Sequence, residues 1–283
     1  MLPLDARTRL FLLLGDPVEH SLSPAMHNGA FAALGLNCVY LAAQVDKDCI
    51  ETAIIGLKAL SITGANVTIP HKETVIPHLD SLSPEAQQVG SVNTIINCRG
   101  HLKGTTTDGE GFFLALQKHT ANHVPGQRVM MVGAGGAARA VAFSLANRGI
   151  EEIIVTNRSE PRGLELSNVL LEKTPLQKSF YLPLDKQYLA EYLPGCDLIV
   201  YSLPINLPEF KEALTMVNPF KKNQLLFDLR YNPKVTEIMA IFQEKGGDTC
   251  NGLTMLIWQA VKSFEVFTGR TAPVAVMQRK AGI

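Results

Sequence analysis

A lysine and an aspartate from separate parts of the sequence, Lys72 and Asp108, have the residue types of an acid–base pair. Lys72 follows the strand-like segment 64–69, and Pro70 is predicted to open a helix, which puts Lys72 in its first turn. A helix dipole disfavours a cation at that end, so the position suits a group that exchanges protons near neutral pH. A solvated surface lysine is the alternative.

Asp108 lies at the start of a second predicted helix. Thr107 and Glu110 have capping-box spacing, so capping accounts for Thr107 without requiring Asp108. We therefore predict a dyad in which the Asp108 carboxylate orients the Lys72 ammonium group. The lysine would exchange a proton with a substrate hydroxyl during hydride transfer.

Uncharged polar residues accompany the dyad and suit a polyol substrate. They are Ser21, Ser23, Asn66, Thr68, Asn93 and Thr94. Helix N-capping explains Ser23 but leaves Ser21 unexplained, and turn formation is an alternative for Asn93 and Thr94.

A glycine-rich turn follows an apolar strand and precedes an alanine-rich helix. It comprises Gly133, Ala134, Gly135, Gly136 and Ala137, and with Ala138 it fits G-x-G-x-x-A. Glycines let the backbone approach a pyrophosphate, and the helix N-terminus offers unpaired N–H groups to the anion. The sequence thus predicts a dinucleotide site, with an ordinary strand-to-helix turn as the alternative.

The next strand ends in Asn157, Arg158 and Ser159, with Arg162 one turn later. An NAD enzyme usually places a carboxylate here, whereas a guanidinium group forms charge-assisted bonds with a 2′-phosphate. NADP is therefore the predicted cofactor. The alternative is that both arginines are solvated surface residues.

Apolar runs alternate with helical periodicity along the chain, which predicts an α/β fold. We expect a Rossmann-type NADP-binding domain over residues 118–249 and a discontinuous α/β substrate-binding domain over 1–117 and 250–283, with the active site in the cleft between them. The polar segment 118–126 marks the end of the first stretch. Strands are predicted at 10–14, 39–43, 64–69, 92–97, 129–132, 153–156, 198–201 and 225–229, and helices at 23–34, 136–148 and 253–268. The last helix is expected to pack on the first domain.

The composition indicates a small-molecule partner. Twenty-six basic residues balance 26 acidic ones without a concentrated segment, which argues against nucleic acid or an anionic membrane as partner. Five scattered cysteines suit reduced thiols in a cytoplasm, and the seven histidines show no ligand spacing, so no metal is predicted. The sequence leaves open whether the chain forms a homodimer.

Together these motifs resemble the shikimate dehydrogenase family over essentially the whole chain. The matching residues are Ser21 to Pro24 with His27 and Asn28, Asn66 to Thr68 with Pro70 and Lys72, Ser91 to Thr94, Thr107 to Gly109 with Gly111, Gly133 to Ala137, Asn157 to Ser159 with Arg162, and Gly252 and Leu253 with Met255 and Gln259.

The resemblance implies reversible reduction of 3-dehydroshikimate to shikimate by NADPH, in chorismate and aromatic amino-acid biosynthesis. It implies that Ser21 and Ser23 hold the substrate carboxylate and that Lys72 with Asp108 forms the catalytic pair. Ring hydroxyls would be bound by Asn66, Thr68, Asn93, Asp108 and Gln259, and Tyr231 would also reach the substrate. Leu229 and Gly252 would contact the cofactor through their backbones.

Two segments depart from the family pattern. Thr106 stands where the family usually has Asn, and residues 201–206 (YSLPIN) stand where it has a loop resembling Asn-Ala-Thr-Pro-x-Gly. The second loop normally borders the nicotinamide. The alternatives are therefore a quinate or dual quinate/shikimate dehydrogenase and a catalytically weak NADP-binding regulator. Ser21 and Ser23 favour shikimate, and the presence of both Lys72 and Asp108 argues against the regulator.

Overall fold

The computed structural model describes residues 4–119, 127–221 and 223–283 of an α/β protein. The described residues form two compact units: unit 1 comprises Met1–Gly111 and Leu256–Ile283, and unit 2 comprises Phe112–Met255. These divisions fall inside the helices Asp108–His119 and Leu253–Thr268. The sequence prediction places the domain boundaries at 117/118, near the end of the first helix, and at 249/250, in the strand before the second. Residues 120–126 of the predicted boundary segment lie outside the described residues.

Unit 1 contains a mixed six-stranded sheet with helices packed on it. Its strands are β1 (Arg9–Gly15), β2 (Cys38–Gln44), β3 (Gly64–Val67), β4 (Ser81–Leu82), β5 (Thr94–Cys98) and β6 (His101–Thr105), in the order β2-β1-β3-β5-β6-β4. Its helices are α1 (Ser23–Ala33), α2 (Ile50–Ala59), α3 (Pro84–Val89), the start of α4 (Asp108–His119), most of α10 (Leu253–Thr268) and α11 (Val274–Lys280).

Unit 2 contains a six-stranded parallel sheet. Its strands are β7 (Arg128–Val132), β8 (Glu152–Thr156), β9 (Lys178–Tyr181), β10 (Leu198–Tyr201), β11 (Leu225–Asp228) and β12 (Asp248–Asn251). Its further helices are α5 (Gly136–Ala146), α6 (Glu160–Lys173), α7 (Lys186–Tyr192), α8 (Pro208–Met216) and α9 (Glu237–Glu244). The order β12-β11-β10-β7-β8-β9 is that of a Rossmann fold. Every residue of β8, β10 and β11 is buried, as expected when helices cover both faces of a parallel sheet.

The prediction that a helix opens at Pro70 is wrong. Residues 69–75 form turns without an α-helix, and a short 3-10 turn at Ile76–His78 follows. The Thr68 carbonyl accepts the His71 N–H at 2.9 Å, so a tight turn carries the chain from β3 to Lys72. Lys72 is therefore not in the first turn of a helix.

A histidine is buried without a hydrogen-bond partner among the described residues of unit 1. The His27 ring stacks on Tyr40 at 4.4 Å between centroids and 3° between planes, and Phe31, Phe264 and Phe267 surround it. Neither ring nitrogen has a partner among the described side chains and backbone groups. Burial lowers the pKa of His27 to about 3, so the folded protein holds it neutral.

This buried histidine makes stability depend on pH. An unfolded His27 takes up a proton near pH 6.5, whereas the folded chain resists protonation down to about pH 3, so the unfolded state binds more protons in between. Its share of the unfolding free energy is present above pH 6.5 and should fall by about 2–3 kcal/mol between pH 6 and pH 4. Urea unfolding of the parent chain and of His27→Phe across this range measures the difference. Equal pH slopes for the two would contradict the assignment.

Candidate active site

The topology of unit 1 brings the predicted site residues to one end of its sheet. β1 and β3 are parallel neighbours, so the chain leaves both strands at the same end, toward Ser21 and Lys72 respectively. β5 runs antiparallel to β3, so Asn93, which precedes it, lies at that end. β6 is antiparallel to β5 and ends there, just before Asp108. Separate stretches of chain thus converge, because strand direction decides where each one ends.

Lys72 and Asp108 form an ion pair in unit 1. The Lys72 ammonium group donates to Asp108 Oδ2, and 15% of the lysine side chain and 3% of the aspartate side chain are exposed. A carboxylate so deeply buried is costly unless its charge is paired and its oxygens accept hydrogen bonds. The pair places a proton donor beside a fixed negative charge, which is the arrangement that the sequence predicts.

The second oxygen of Asp108 is held by Asn93. The Asn93 carboxamide oxygen accepts the Thr107 N–H at 2.9 Å and the Thr94 hydroxyl at 2.8 Å. Because those bonds fix which side of the amide carries the oxygen, Asn93 Nδ2 faces Asp108 and donates to Oδ1 at 2.9 Å. Both carboxylate oxygens therefore accept bonds within the protein.

Gln259 joins this group from α10. Its Oε1 accepts from Asn93 Nδ2 at 3.2 Å, and its backbone carbonyl accepts the Thr107 hydroxyl at 3.0 Å. α4 and α10 approach closely at Gly111, where an added Cβ would lie 2.6 Å from the Gln259 backbone nitrogen. Gly111 is therefore a packing requirement of the site.

Asn66 is held in part by Tyr40 and Ser263, two residues that the sequence interpretation missed. Tyr40 donates to Asn66 Oδ1 at 2.8 Å, and burial raises the pKa of the Tyr40 phenol well above its ordinary value, so it stays a donor. Asn66 Nδ2 donates to the Asn93 carbonyl and the hydroxyls of Thr94 and Ser263, each at 3.0 Å. Ser263 is fully buried on α10, one helical turn after Gln259, and that spacing was the one sequence signal for it.

The remaining candidate substrate residues of unit 1 lie beyond these direct contacts. The predicted N-capping by Ser23 is wrong: α1 begins at Ser23 and has Leu22 in the cap position. The Ser21 hydroxyl instead accepts the Ser23 N–H at 3.2 Å, which gives Ser21 a role in this turn. Thr68 follows β3 and packs its methyl group on Gly15, where an added Cβ would lie 2.2 Å away.

In unit 2 the glycine turn fits a dinucleotide. Gly133 has φ +117°, and an added Cβ would lie 2.2 Å from Ser202 Oγ, so only glycine suits this position. Gly135 stands at the N-cap of α5, and no side chain caps the helix. An added Cβ on Gly135 would meet no atom within 4 Å, so that face of the turn is open to a pyrophosphate. Ala134, Gly136 and Ala137 complete the turn and the first helical residues.

The candidate 2′-phosphate residues lie at the end of β8, the neighbour of β7. The side chain of Asn157 donates to the Ser159 carbonyl at 2.9 Å, and Ser159 occupies the N-cap of α6 without capping it through its hydroxyl. Arg158 and Arg162 are exposed. Arg162 Nη2 donates to the Ala134 carbonyl at 3.3 Å, which links this segment to the glycine turn.

The other predicted cofactor residues, Leu229 and Gly252, follow β11 and β12 at the same end of the parallel sheet. An added Cβ on Gly252 would lie 1.9 Å from the Leu229 carbonyl oxygen, so glycine permits their contact. Tyr231, half-buried with its phenol pKa raised by burial, lies two residues beyond Leu229 in unit 2. The loop 201–206, whose sequence departs from the family pattern, has an internal hydrogen bond. Tyr201 donates to the Ile205 carbonyl at 2.7 Å.

The part of the chain that the structure describes contains neither a candidate metal site nor a candidate membrane-spanning helix. No cluster of three or more His, Cys, Asp or Glu side chains could hold a metal ion there. None of the helices described is both long enough and apolar enough to cross a membrane.

Family models match three successive parts of the chain. Residues 13–95 match the shikimate dehydrogenase substrate binding domain, residues 114–243 match shikimate / quinate 5-dehydrogenase, and residues 252–281 match the shikimate 5′-dehydrogenase C-terminal domain.

Individual relatives resemble the chain over nearly its full length. A shikimate dehydrogenase (NADP(+)) of Moorella thermoacetica is 43% identical over 281 residues, which cover 99% of this chain and 94% of the relative. The shikimate 5-dehydrogenase of Thermus thermophilus, solved with NADP(H) and shikimate, is 34% identical with a TM-score of 0.81, covering 96% of this chain and 98% of that one. A quinate dehydrogenase of Corynebacterium glutamicum, solved with NAD, is 27% identical with a TM-score of 0.84, covering 96% and 98%.

The parallel sheet with its dinucleotide turn and the lysine–aspartate pair define an oxidoreductase that acts on a CH–OH group. The family models and the relatives narrow that class. The chain belongs to the shikimate dehydrogenase family.

The packing at Gly111 yields a test with a matched control. Gly111→Ala pushes α4 against the Gln259 backbone, so we expect a loss of about 1–3 kcal/mol of unfolding free energy. Displacement of Gln259 should also lower turnover about 10-fold or more. Gly56→Ala places its Cβ in open space on α2 and should stabilise by about 0.5–1 kcal/mol. Chemical unfolding and steady-state assays of both variants check this, and equal effects would contradict the packing role.

Proposed function

We propose that this protein catalyses the reversible NADP-dependent reduction of 3-dehydroshikimate to shikimate, in aromatic amino-acid biosynthesis. The observation that carries the proposal is the buried Lys72–Asp108 pair, whose carboxylate is held on both oxygens. The family to which the chain belongs, and the dinucleotide turn in unit 2, support it.

In this proposal Lys72 moves the proton of the reaction. When bound, NADPH supplies the hydride to the carbonyl carbon, and NADP accepts it in the reverse direction. The Lys72 ammonium group gives a proton to the carbonyl oxygen as it becomes a hydroxyl, and the amine takes the proton back on oxidation. Asp108 accepts from the lysine and stays a carboxylate, so it aims the ammonium group and stabilises its charge.

Substrate binding is assigned to the polar side chains that the sequence predicts for it. We propose that the hydroxyls of Ser21 and Ser23 bind the substrate carboxylate. Ring hydroxyls would be bound by Asn66, Thr68, Asn93, Asp108, Gln259 and Tyr231. Asn66 is almost saturated by its own partners, so within this set it contributes chiefly by keeping Thr94 and Asn93 in place.

Cofactor binding is assigned to unit 2. The first-turn N–H groups of α5 would donate to the pyrophosphate, with Gly133 to Ala137 around it. Asn157, Arg158, Ser159 and Arg162 would bind the 2′-phosphate, and Leu229 and Gly252 would contact the nicotinamide part through their backbones. The same proposal makes residues 118–249 the cofactor domain. It also includes a cytoplasmic location and a homodimer.

The quinate alternative rests on the similarity to the Corynebacterium quinate dehydrogenase. Purified protein assayed with shikimate and quinate, each with NADP and NAD, tests both possibilities. We expect the highest kcat/KM with shikimate and NADP. Preference for quinate with NAD would replace our proposal, and no turnover with any pair would favour a binding role.

The acid–base role of Lys72 predicts a selective loss of chemistry. Lys72→Ala should lower kcat about 10²–10⁴-fold because no group remains to exchange the proton. NADP affinity, measured by titration calorimetry, should stay within about twofold, since the glycine turn and the arginines lie in unit 2. Normal turnover by this variant would refute the role.

The 2′-phosphate assignment predicts a selective loss of NADP affinity. Arg158→Leu removes a charge-assisted bond and should weaken NADP binding by about 1.5–3 kcal/mol while NAD binding changes little. Arg270→Leu, which changes an exposed arginine of unit 1, is the control and should affect neither cofactor. Equal losses of NADP and NAD affinity in the Arg158 variant would show that it binds a part common to both.

A further inference from the structure

A tyrosine outside the predicted cofactor residues holds the segment that carries them. Tyr181 is the last residue of β9, the neighbour of β8, and its hydroxyl donates to the Asn157 carbonyl at 3.2 Å. Tyr181 therefore ties the turn after β8 to the end of β9.

Gly163 makes this tie geometrically feasible. It lies in the first turns of α6, where an added Cβ would stand 2.5 Å from Tyr181 Cδ2 and 2.6 Å from Cε2. Glycine inside a helix is less favourable than alanine, so the position has a compensating use. That use is the close approach of the Tyr181 ring to the backbone of α6.

The bond to the Asn157 carbonyl controls the residue that follows. A peptide group is planar, so fixing the Asn157 oxygen also fixes the direction of the Arg158 N–H and limits the Cα–Cβ direction of Arg158. The Asn157 side chain, bonded to the Ser159 carbonyl, and Arg162, bonded to the Ala134 carbonyl, constrain the rest of the segment. An exposed arginine on a pre-organised turn loses less entropy on binding an anion than one on a loose turn.

We propose that Tyr181, seated on Gly163, is a positioning residue that sets the choice of NADP over NAD by holding Arg158 toward the 2′-phosphate. This inference rests on the NADP binding proposed above and adds a determinant of selectivity to it. Tyr181 acts through the backbone of Asn157 and has no role in the proton transfer assigned to Lys72.

The experiment measures affinity for cofactor fragments on the full chain, without turnover. Titration calorimetry with 2′,5′-ADP and with 5′-AMP isolates the 2′-phosphate, because the two molecules differ only in that group. Tyr181→Phe removes the hydroxyl and keeps the ring, so the Kd for 2′,5′-ADP should rise about three- to tenfold, as expected for one neutral hydrogen bond. The Kd for 5′-AMP should stay within about twofold. NADP and NAD should repeat the pattern.

Two further variants complete the design. Gly163→Ala keeps the hydroxyl but displaces the ring, and should lower 2′,5′-ADP affinity in the same selective way. Tyr188→Phe changes an exposed tyrosine on α7 and should leave both Kd values unchanged. Thermal melts of each variant verify that it is folded at the titration temperature.

The outcomes separate this inference from the proposed function. If the parent chain prefers 2′,5′-ADP and Tyr181→Phe keeps the full preference, the role of Tyr181 is refuted while the cofactor proposal stands. Equal loss of both probes makes Tyr181 a support of the whole adenosine site and also refutes the inference. If the parent chain itself shows no preference, the proposed NADP selectivity fails and the inference fails with it.

Discussion

The buried carboxylate of Asp108 is the constraint on which the active site depends. With 3% of its side chain exposed, it requires partners for both oxygens, and each partner comes from a different stretch of chain. Lys72 must arrive from the turn after β3, and Asn93 from the start of β5. Asn93 presents its N–H group only because Thr94 and Thr107 hold its oxygen. The mixed sheet of unit 1 satisfies these conditions at one end.

The same use of strand ends applies in unit 2, where every predicted cofactor residue follows a parallel strand. The loop 201–206 lies against the glycine turn there, since Ser202 donates to the Val132 carbonyl at 2.9 Å and fills the space beside Gly133. Tyr201 accepts the Leu207 N–H at 3.1 Å, and Arg230 donates to Asn206 at 2.7 Å. The unusual loop is therefore a bonded structure that supports the turn.

Local pattern predicted much of this molecule, and its failures have a common physical cause. The helix Leu253–Thr268 and the strand Leu198–Tyr201 were predicted with their observed bounds, because apolar periodicity reports burial directly. The helix at Pro70 was wrong because proline at a first helical position is equally suited to a turn. Ser263 was missed because its partner Asn66 is 197 positions away, a contact that periodicity does not encode.

The polar interior of unit 1 also bears on whether the chain is an enzyme or only a binding protein. A buried ion pair is weak evidence for stability, because apolar side chains of similar volume often stabilise a fold as well or better. A chain that only bound a cofactor in unit 2 would gain little from a buried lysine–aspartate pair in unit 1. The amide of Asn93 and the hydroxyls of Thr94, Thr107 and Ser263 all form hydrogen bonds that orient that pair and its neighbours. Such an arrangement stabilises the fold less than apolar packing would, but it suits proton transfer. It therefore favours catalysis over a regulatory role.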